Sequence, residues 1–582
     1  MRKRLAGLFA TAAIAFAACQ GAATQSPSSQ ASAPAASSSA AASGSAAASA
    51  PAGEIDLFGT KYAPEDGPDG GQIIFGDWQE ANQFNPFYYG QVTEANVASA
   101  AWASTVTLTN DYRYAPDLAT EVPTTANGGV KVPGDNGDKM TVTWKLKPDL
   151  KWSDDQPLTC DDFKYAWEWV LDKNNVGVTT VGYEDISAID CPDASTMVQH
   201  FKNIYEGYIT VNTSPLPRHF LSKIPIKDQV AGKGFRPAEV KSMPVSGPFK
   251  FDTVTPGAEL RMTKNPNYKS WKTNKPAHLD TLIFKWYKDA DAMIAGFKGG
   301  EVDAATDLQD SDIPKVQDLG DQVSAIPAFT YEFLRPNWSE KECSHNAGVK
   351  DRGTGCPMSD PAMRSAVGYA IDKNEINTRI LGGTVQVANT NITPDAWFYS
   401  DQPPATYDPE KAKSILDAAG WAPGSDGIRA KNGLKAKIEL CTTTRQVRED
   451  TLALVAAKLK DIGVDSVINP VSPDDIFADY NQSTRETPCV LAHSNFDLAE
   501  HAFSSSLDPL GNYTSYHSSQ FEPKGANDAQ VSDPDIDKAL TDVKNNVDFK
   551  VVRDAMASFQ KLYVEKAVEV PLYYRKNVDL HG

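Results

Sequence analysis

The chain has 582 residues, enough for about three to four domains, and its 41% hydrophobic and 23% charged residues are typical of a globular protein. It carries 56 Lys and Arg residues against 75 Asp and Glu residues, which gives a formal net charge of −19. An acidic chain without a run of Lys or Arg beyond its first four residues is not expected to bind nucleic acid or anionic lipid headgroups.

The first eighteen residues predict an export signal. Three cationic residues at 2–4 precede a short uncharged apolar stretch at 5–16. A helix of that length would rise only about 18 Å, too short for the roughly 30 Å hydrocarbon core of a bilayer. The sequence FAAC at 16–19 resembles a bacterial lipobox, in which the cysteine, here Cys19, is acylated and becomes the first mature residue. Ordinary signal cleavage beside an incidental cysteine is the alternative.

Residues 19–54 predict a disordered tether. From residue 21 to residue 53 the sequence is almost entirely Ala, Ser, Gly, Pro, Gln and Thr, and it contains no charged residue. Such a segment has too little bulky apolar surface to offset the conformational entropy that folding would cost. A lipid on Cys19 followed by this tether would hold a folded body above a membrane surface.

The first strong pattern of secondary structure lies at residues 140–171. Residues 140–147 alternate between apolar and polar side chains, which predicts a half-buried strand. After a turn, Thr159 and Asp162 have the spacing of a capping box at the start of a helix. We expect this helix to bury one face, formed by Phe163, Ala166, Trp167, Val170 and Leu171.

Later helices have equally clear start signals. An Asp before Pro, or an Asp followed by Glu three residues later, predicts a capped first turn. These pairs are Asp360 with Pro361, Asp372 with Glu375, and Asp408 with Pro409. Near the end of the chain, residues 552–562 predict a helix and residues 568–574 a closing strand.

Six sequence blocks between residues 73 and 580 follow one another in the order of a known family. They are TVTWKLKPDLKWSDDQPLTCDDFKYAWEWVL (141–171), SGPFKFDTVTPGAELRMTKNPNYKSW (246–271), FKGGEVDAA (297–305), PAMRSAVGYAIDKNEI (361–376), YDPEKAKSILDAAGW (407–421) and VPLYY (570–574). In this order they resemble family 5 of the bacterial extracellular solute-binding proteins, which includes the dipeptide-, oligopeptide- and nickel-binding proteins of ABC importers. Asp155 stands where the family usually has Gly.

The resemblance implies an α/β fold of the periplasmic-binding-protein type (class II, cluster C), with two lobes, a hinge and an extra domain. Domain I would comprise residues 55–108, 243–325 and 552–582. Domain II, the extra domain, would comprise residues 109–242, and domain III residues 326–551. Two strands crossing between the lobes would let the cleft close through a few backbone rotations.

The cysteines fit an exported protein. With Cys19 reserved for lipid, six of the seven remain, and six cysteines allow fifteen pairings. We predict sequential pairs because each then closes a loop inside one predicted domain: Cys160–Cys191, Cys343–Cys356 and Cys441–Cys489. No Cys-x-x-Cys occurs and the eight histidines are scattered, so no metal site is predicted.

By position, two segments of this sequence match the first parts of the family's cleft lining. The first is 84–91, where Tyr88, Tyr89 and Gln91 could meet an extended ligand; a surface aromatic loop is the alternative. The second is 331–338, expected to be a crossing strand. Its Arg335 has a planar guanidinium that suits a ligand carboxylate, and an internal ion pair is the alternative.

A third matching segment, 491–497, is predicted to be a strand that carries His493, Ser494, Asn495 and Asp497. In peptide-binding members a Gly-Trp pair and a nearby Asp occupy it, and the Asp takes the ligand's amino group. Here Ala492 and His493 replace Gly-Trp, and Asp497 is displaced by about one residue, so a solvated or capping Asp is the alternative. Weaker candidates, expected to be structural, are Trp397, His501, Asn512 and Tyr516.

Together these features predict a monomeric, non-enzymatic, cofactor-free receptor anchored by lipid to the outer face of the cytoplasmic membrane. It would capture a small organic solute, first of all a peptide, and deliver it to an ABC permease. An oligosaccharide or metal chelate as ligand, and a role in signalling, are the alternatives. A secreted hydrolase ranks last because no catalytic motif such as Gly-x-Ser-x-Gly or His-Glu-x-x-His occurs.

Overall fold

The structure, a computed structural model, describes residues 57–58, 67–81, 83–88, 92–109, 112–175, 178, 180–403, 406–478, 480, 483–504 and 507–582. The predicted signal at 1–18, the predicted tether at 19–54 and the predicted lipid site Cys19 lie outside the described residues.

The described residues form twenty strands. In chain order they are β1 Gln72–Asp77, β2 Val106–Leu108, β3 Tyr114–Pro116, β4 Val130–Lys131, β5 Met140–Lys145, β6 Ile186–Asp193, β7 Thr196–Phe201, β8 Phe249–Thr255, β9 Glu259–Lys264, β10 Thr281–Trp286, β11 Ala304–Leu308, β12 Val323–Pro336, β13 Gln386–Val387, β14 Ala422–Pro423, β15 Arg429–Lys431, β16 Leu434–Lys435, β17 Lys437–Thr443, β18 Asp465–Val471, β19 Leu498–Ser504 and β20 Val570–His581.

The same residues form fourteen α-helices. They are α1 Val92–Ala101, α2 Cys160–Val170, α3 Arg218–Leu221, α4 Ile226–Val230, α5 Ala290–Lys298, α6 Ile313–Val316, α7 Pro361–Ala370, α8 Lys373–Ile380, α9 Pro409–Ala418, α10 Gln446–Asp461, α11 Pro473–Ile476, α12 Leu510–Tyr516, α13 Pro534–Lys544 and α14 Phe549–Glu565.

The largest sheet of the described residues is mixed and has eleven strands. Its order is β18-β17-β19-β12-β20-β11-β1-β10-β9-β8, with β13 attached to β20. β17 runs parallel to β18 and β19, whereas β12 runs antiparallel to β19 and β20. On the other side of β20, β1 lies parallel between β10 and β11.

The long strands β12 and β20 lie side by side and connect the two halves of this sheet. Residues 323–327 of β12 pair with residues 576–580 of β20, and residues 331–334 pair with residues 570–574. The register shifts between Pro327 and Tyr331. Two long strands with an interrupted ladder are the kind of connection that a hinge between lobes requires. The exact division into domains I, II and III stays a prediction.

A separate four-stranded sheet, β4-β5-β7-β6, forms part of the predicted extra domain and packs with α2. The capping box at the start of α2 is confirmed, because the Thr159 N–H donates to the Asp162 carboxylate (2.9 Å). Trp167 is only half-buried and packs against the edge of the core. Trp169, which the helical pattern did not include, is completely buried, and its indole N–H donates to Gln229 Oε1 (2.9 Å).

The predicted Asp caps are confirmed. The carboxylates of Asp360, Asp372 and Asp408 accept from backbone N–H groups in the first turns of α7, α8 and α9. The closing strand is longer than predicted, since β20 continues to His581. Its second half is held by pairing with both β11 and β12, which the local sequence pattern does not reveal.

The three sequential disulfides predicted from the sequence are present in the structure. Cys160–Cys191 joins α2 to β6, and Cys343–Cys356 closes the loop that carries Arg352. Cys441–Cys489 joins β17 to the segment that precedes β19, so it anchors one side of the region described next.

Candidate functional site

The two halves of the molecule meet along a seam of aromatic side chains. The ring centroids of Tyr112 and Phe329 lie 4.3 Å apart, and the Tyr112 hydroxyl donates to the Pro327 carbonyl (2.9 Å). The rings of Phe58 and Phe549 are in edge contact, with 5.5 Å between centroids. Each of these pairs joins predicted domain I or II to predicted domain III. The seam therefore lies where the sequence predicts the ligand cleft.

Strand β19 extends beyond its neighbour β17 toward this seam. Its ladder with β17 ends at the pair Cys441 and Ala499, whereas its ladder with β12 continues to Ser504, opposite Thr330. Thr330 follows Phe329, whose ring is part of the seam. Within the described residues, 500–504 has a strand partner only on the β12 side, and we call this segment the free edge.

The open side of the free edge presents backbone groups. The Glu500 carbonyl points toward β17, because it accepts a hydrogen bond from Thr442 Oγ1 (3.1 Å). Successive residues of a strand point their N–H and C=O groups to opposite sides. The backbone groups of Ala502 and Ser504 therefore point to the same open side as those of Glu500.

Aromatic side chains flank the free edge. Phe477 is 49% exposed and Phe503 is 38% exposed, which is unusual for side chains of this size. Between them, the buried ring of His501 lies 4.4 Å from Phe333 and 5.7 Å from Phe477. Burial lowers the pKa of His501 well below its usual range, so the imidazole is neutral. Sequence reasoning missed both exposed Phe residues, since single aromatics among polar neighbours carry no periodic signal.

Tyr88 lies against α2 on the predicted wall of the cleft. Its ring contacts Trp169 at 5.5 Å, and its hydroxyl donates to the side chain of Asn175. Burial raises the pKa of Tyr88 to about 12, so the hydroxyl remains a donor at neutral pH. Tyr89 and Gln91, the other residues predicted in this segment, lie outside the described residues.

Arg335 on β12 has two internal partners. Its Nε donates to Glu569 (2.8 Å) and its Nη1 to Asp528 (2.6 Å). Burial opposes the charged form, but the carboxylates of Asp528 and Glu569 raise the pKa of Arg335 well above its usual range. Its Nη2 has no hydrogen-bond partner among the described residues. Binding of a ligand carboxylate by Arg335 stays a prediction.

Asp497 is completely buried and is also paired inside the protein. Its Oδ2 accepts from Arg352 Nη1 (2.5 Å) and from the backbone N–H of Glu439 (2.9 Å). Burial raises the pKa of Asp497, although Arg352 opposes this shift. Among the described residues no group bonds its Oδ1. A role for Asp497 in binding a ligand amine stays a prediction.

The segment 491–497 is a turn, and the prediction of a strand here is wrong. The backbone φ of Ser494 is 53°, a left-handed conformation that ends extended structure, and β19 begins only at Leu498. The hydroxyl of Ser494 donates to the Asp528 carbonyl (2.7 Å), and the Asn495 amide to the carbonyls of Arg485 and Thr487 (2.9 Å each).

His493, on the same turn, faces a neighbouring aromatic residue. Its ring lies 4.2 Å from the ring of Tyr480, and its Nε2 is 3.1 Å from the carbonyls of Tyr480 and Ser483. The polar side chains of 493–495 thus have partners within the protein. Three weaker candidates also have internal hydrogen bonds, as expected for structural residues: Trp397, Asn512 and Tyr516.

A buried charge network lies on the other face of the free edge. The Glu332 carboxylate accepts from Arg448 Nη2 (2.8 Å), and both residues are buried. Glu500 is completely buried beside them. Burial, with Glu332 as a second cause, raises the pKa of Glu500 well above its usual range. No local sequence pattern marks this network, because Glu332 lies 116 residues from Arg448 in the chain.

Within the described residues, one group of side chains has the spacing of metal ligands: Glu439, Cys441 and Cys489. The two cysteines form a disulfide, so neither offers a thiolate to an ion. In the described part of the chain, every helix is too short or too polar to cross a membrane.

Comparisons with known proteins agree on one family. The sequence profile described as "Bacterial extracellular solute-binding proteins, family 5 Middle" matches residues 113–522. The oligopeptide-binding protein AppA of Bacillus subtilis is 26% identical over 524 residues, covering 87% of each chain. The structure of AppA in complex with a nonapeptide has a TM-score of 0.66 at 24% identity, covering 88% of this chain and 95% of that chain.

A second solved structure is NikZ from Campylobacter jejuni in complex with Ni(L-His). It has a TM-score of 0.67 at 21% identity, covering 88% of this chain and 94% of that chain. Together with AppA it confirms the fold class predicted from the sequence.

Proposed function

Because this chain belongs to family 5 of the bacterial extracellular solute-binding proteins, we propose that it binds a peptide between its lobes and delivers it to an ABC permease. Its relative AppA is named an oligopeptide-binding protein, and the AppA structure holds a nonapeptide. Proteins of this family bind solutes outside the cytoplasm. We accordingly propose that this chain has no enzymatic activity of its own.

The free edge is the observation that supports a peptide as ligand. An extended peptide can add to an open strand edge through main-chain hydrogen bonds, which supply affinity regardless of the peptide's sequence. The Ala502 N–H and the backbone groups of Ser504 point to the open side at the end of β19 that reaches the seam. The Ala502 carbonyl lies 3.3 Å from His501 Nδ1. A sugar or a metal chelate has no repeating amide backbone to match this edge.

We propose that aromatic side chains contact the side chains of the bound peptide. Phe477 and Phe503 flank the free edge. Tyr88, which packs on Trp169, is proposed to form the facing wall. Apolar walls with a few polar groups are typical of sites that enclose small ligands. Of the other residues predicted from the sequence, Tyr89, Gln91 and His493 remain in this proposed site. Arg335, Ser494, Asn495 and Asp497 are proposed to support it through their internal bonds.

Lobe closure is proposed to couple binding to delivery. A ligand that contacts both lobes only in the closed state shifts the population toward that state. The permease would then recognise the closed form. We further propose that the protein is a monomer. We also propose that an acylated Cys19 holds it at the outer face of the cytoplasmic membrane, since residues 16–19 resemble a lipobox.

A thermal-shift panel tests the ligand class. Peptides of about three to nine residues are compared with free amino acids, oligosaccharides and nickel-histidine. A ligand that binds only the folded protein adds about 2.7 kcal/mol to the free energy of unfolding at about 100 times its dissociation constant. We expect peptides, and not their constituent amino acids, to raise the melting temperature. A shift confined to sugars or to nickel-histidine would overturn the peptide proposal.

A further inference from the structure

A buried arginine on the first turn of α7 has no counter-ion. Arg364 is 3% exposed, and its Nη1 donates to the carbonyls of Met358 (2.9 Å) and Ser359 (2.8 Å). Within the described residues, its Nε and Nη2 form no hydrogen bond and the side chain forms no ion pair. These two nitrogens lie on one edge of the guanidinium, so a pair of donors and a positive charge are left unused.

The carboxylates that act on Arg364 from a distance are paired with other cations. Asp360 accepts from Lys431 Nζ (2.6 Å), and Asp533 accepts from Lys566 Nζ (2.5 Å). Burial lowers the pKa of Arg364 to about 10, and these two carboxylates only partly oppose the shift. The side chain is therefore still a cation at neutral pH. Because a buried charge without a counter-ion is costly, a bound anion would stabilise this position.

Arg364 lines a cavity of about 830 Å³, a volume within the range of small-ligand sites. The guanidinium lies flat against Trp338, with 3.6 Å between its Cζ and the ring centroid. This contact fixes the plane of the guanidinium. Ser339, Gln530 and Ser532 add neutral hydrogen-bonding groups to the wall. The cavity thus offers a fixed cation together with groups that can bind the rest of a polar ligand.

The other charges in the wall favour a carboxylate over a more highly charged anion. Glu340, Asp533 and Glu565 line the same cavity and would repel a doubly charged phosphate. Lys341 adds a second cation to the wall, and its side chain forms no ion pair in the described part of the chain. A carboxylate carries a single charge, and its two oxygens match the two parallel N–H bonds that an arginine edge offers.

The cavity lies away from the predicted peptide site. The part of β12 from Phe329, at the seam, to Pro336, at the strand's end, spans roughly 20 Å. Trp338 follows Pro336 in the chain. Pro336 pairs with Leu498, the first residue of β19, whereas the free edge is the opposite end of β19. A small ligand beside Trp338 would therefore leave the free edge open.

We propose that Arg364, stacked on Trp338, binds the carboxylate of a small organic molecule in this cavity. One carboxylate oxygen accepts from Nη2 and the other from Nε. Because Nε is buried, a neighbouring side chain must shift slightly to admit the second oxygen. This site goes beyond the proposed function, since it requires neither a bound peptide nor movement of the lobes.

Nuclear magnetic resonance of the Trp338 indole tests this site. The full chain is prepared with isotope-labelled indole nitrogens, and Trp338→Phe identifies the Trp338 signal among the eleven tryptophans. Sodium acetate is the probe, and sodium chloride keeps the ionic strength constant during the titration. We expect the Trp338 signal to shift until it saturates, because its ring lies against the guanidinium that acetate would contact.

Arg364→Lys keeps the positive charge but lacks the paired donors of a guanidinium. We expect its dissociation constant for acetate to rise at least about tenfold. Arg236→Lys is the matched control. Arg236 also donates to a backbone carbonyl, that of Ala231 (2.6 Å), and forms no ion pair within the described residues, but it is exposed. This control should keep the wild-type constant. If Arg364→Lys does not fold, the wild-type titration alone still decides whether acetate binds beside Trp338.

The outcomes separate this site from the proposed function. A Trp338 signal that ignores acetate, or a folded Arg364→Lys variant with the wild-type constant, would overturn the carboxylate site. Tighter binding of inorganic phosphate than of acetate would identify another class of anion and also overturn it. We expect Arg364→Lys to keep the peptide-induced thermal shift. Absence of any peptide shift beside an intact acetate response would overturn the proposed function alone.

Discussion

The charged side chains that flank the candidate site form buried ion pairs with one another. Arg335 is paired with Glu569 and Asp528, and Arg352 is paired with Asp497. A buried charge without a partner is costly, so these pairs hold the turn and the two strands in place. At the scale of single residues, we infer that the charged groups support the site, while backbone groups and aromatic rings contact the ligand.

Asp497→Asn tests this division of roles. The substitution keeps an acceptor for the backbone N–H of Glu439 but leaves Arg352 without its carboxylate. We expect the free energy of unfolding, measured in urea by circular dichroism, to fall by about 3 kcal/mol. The exposed pair Asp426 and Lys435 provides a control, since Asp426→Asn should cost less than about 0.5 kcal/mol. Unchanged stability combined with lost peptide binding would instead support contact between Asp497 and the ligand.

Asp117 gives a prediction on pH dependence. It accepts a hydrogen bond from the Tyr268 hydroxyl (3.0 Å), and burial raises the pKa of Asp117 to about 6. The folded protein therefore holds this proton more tightly than the unfolded chain does, and the contribution of Asp117 to stability falls as the pH rises from about 4 to about 6. We expect Asp117→Asn to flatten this part of the profile and to be more stable at pH 7 by about 1–2 kcal/mol. Urea unfolding at several pH values measures both effects, and an unchanged profile would contradict them.

At the scale of elements, local sequence signals predict helix starts and a single strand, whereas strand pairing depends on distant parts of the chain. The strand β5, the capping box of α2 and the Asp caps of α7, α8 and α9 follow from residues within a few positions of one another, and the sequence predicts them. The sequence of β19, Leu498–Ser504, has no clean alternation, and a strand was expected over 491–497 instead. Its free edge exists because the ladder with β17 stops at Cys441 and Ala499, although β17 continues to Thr443, and this depends on a distant part of the chain.

Ala502→Pro tests whether a peptide binds to the backbone of the free edge. The Ala502 N–H points to the open side, so proline removes a donor for a bound peptide without removing a hydrogen bond to β12. We expect peptide affinity, measured by calorimetry, to fall at least about tenfold, while the unfolding free energy changes by less than about 1 kcal/mol.

Ala502→Val is the matched control for this substitution. It adds bulk at the same position but keeps the N–H, and valine suits an extended strand. We expect it to retain most of the affinity. Equal losses in the valine and proline variants would show that the side chain at 502, and not the backbone, determines binding.

At the scale of the whole molecule, the resemblance to a family predicted the lobes and the cleft, which residue patterns alone did not predict. The six blocks implied two lobes and a cleft, and the structure shows one long sheet joined across β12 and β20. The contacts that build the seam, such as Tyr112 with Phe329 and Phe58 with Phe549, join residues more than two hundred positions apart. Because no local pattern marks such pairs, the sequence predicts which segments line the cleft but not which residues contact one another.

Native mass spectrometry of the protein, purified without denaturation after export, tests peptide binding in the cleft most directly. We expect bound masses that correspond to peptides, released on unfolding and much reduced in Ala502→Pro but not in Ala502→Val. A protein that carries no added mass and gains none from the peptide panel would contradict the proposed function. Peptides retained equally by the proline variant would show that they bind elsewhere than along the free edge.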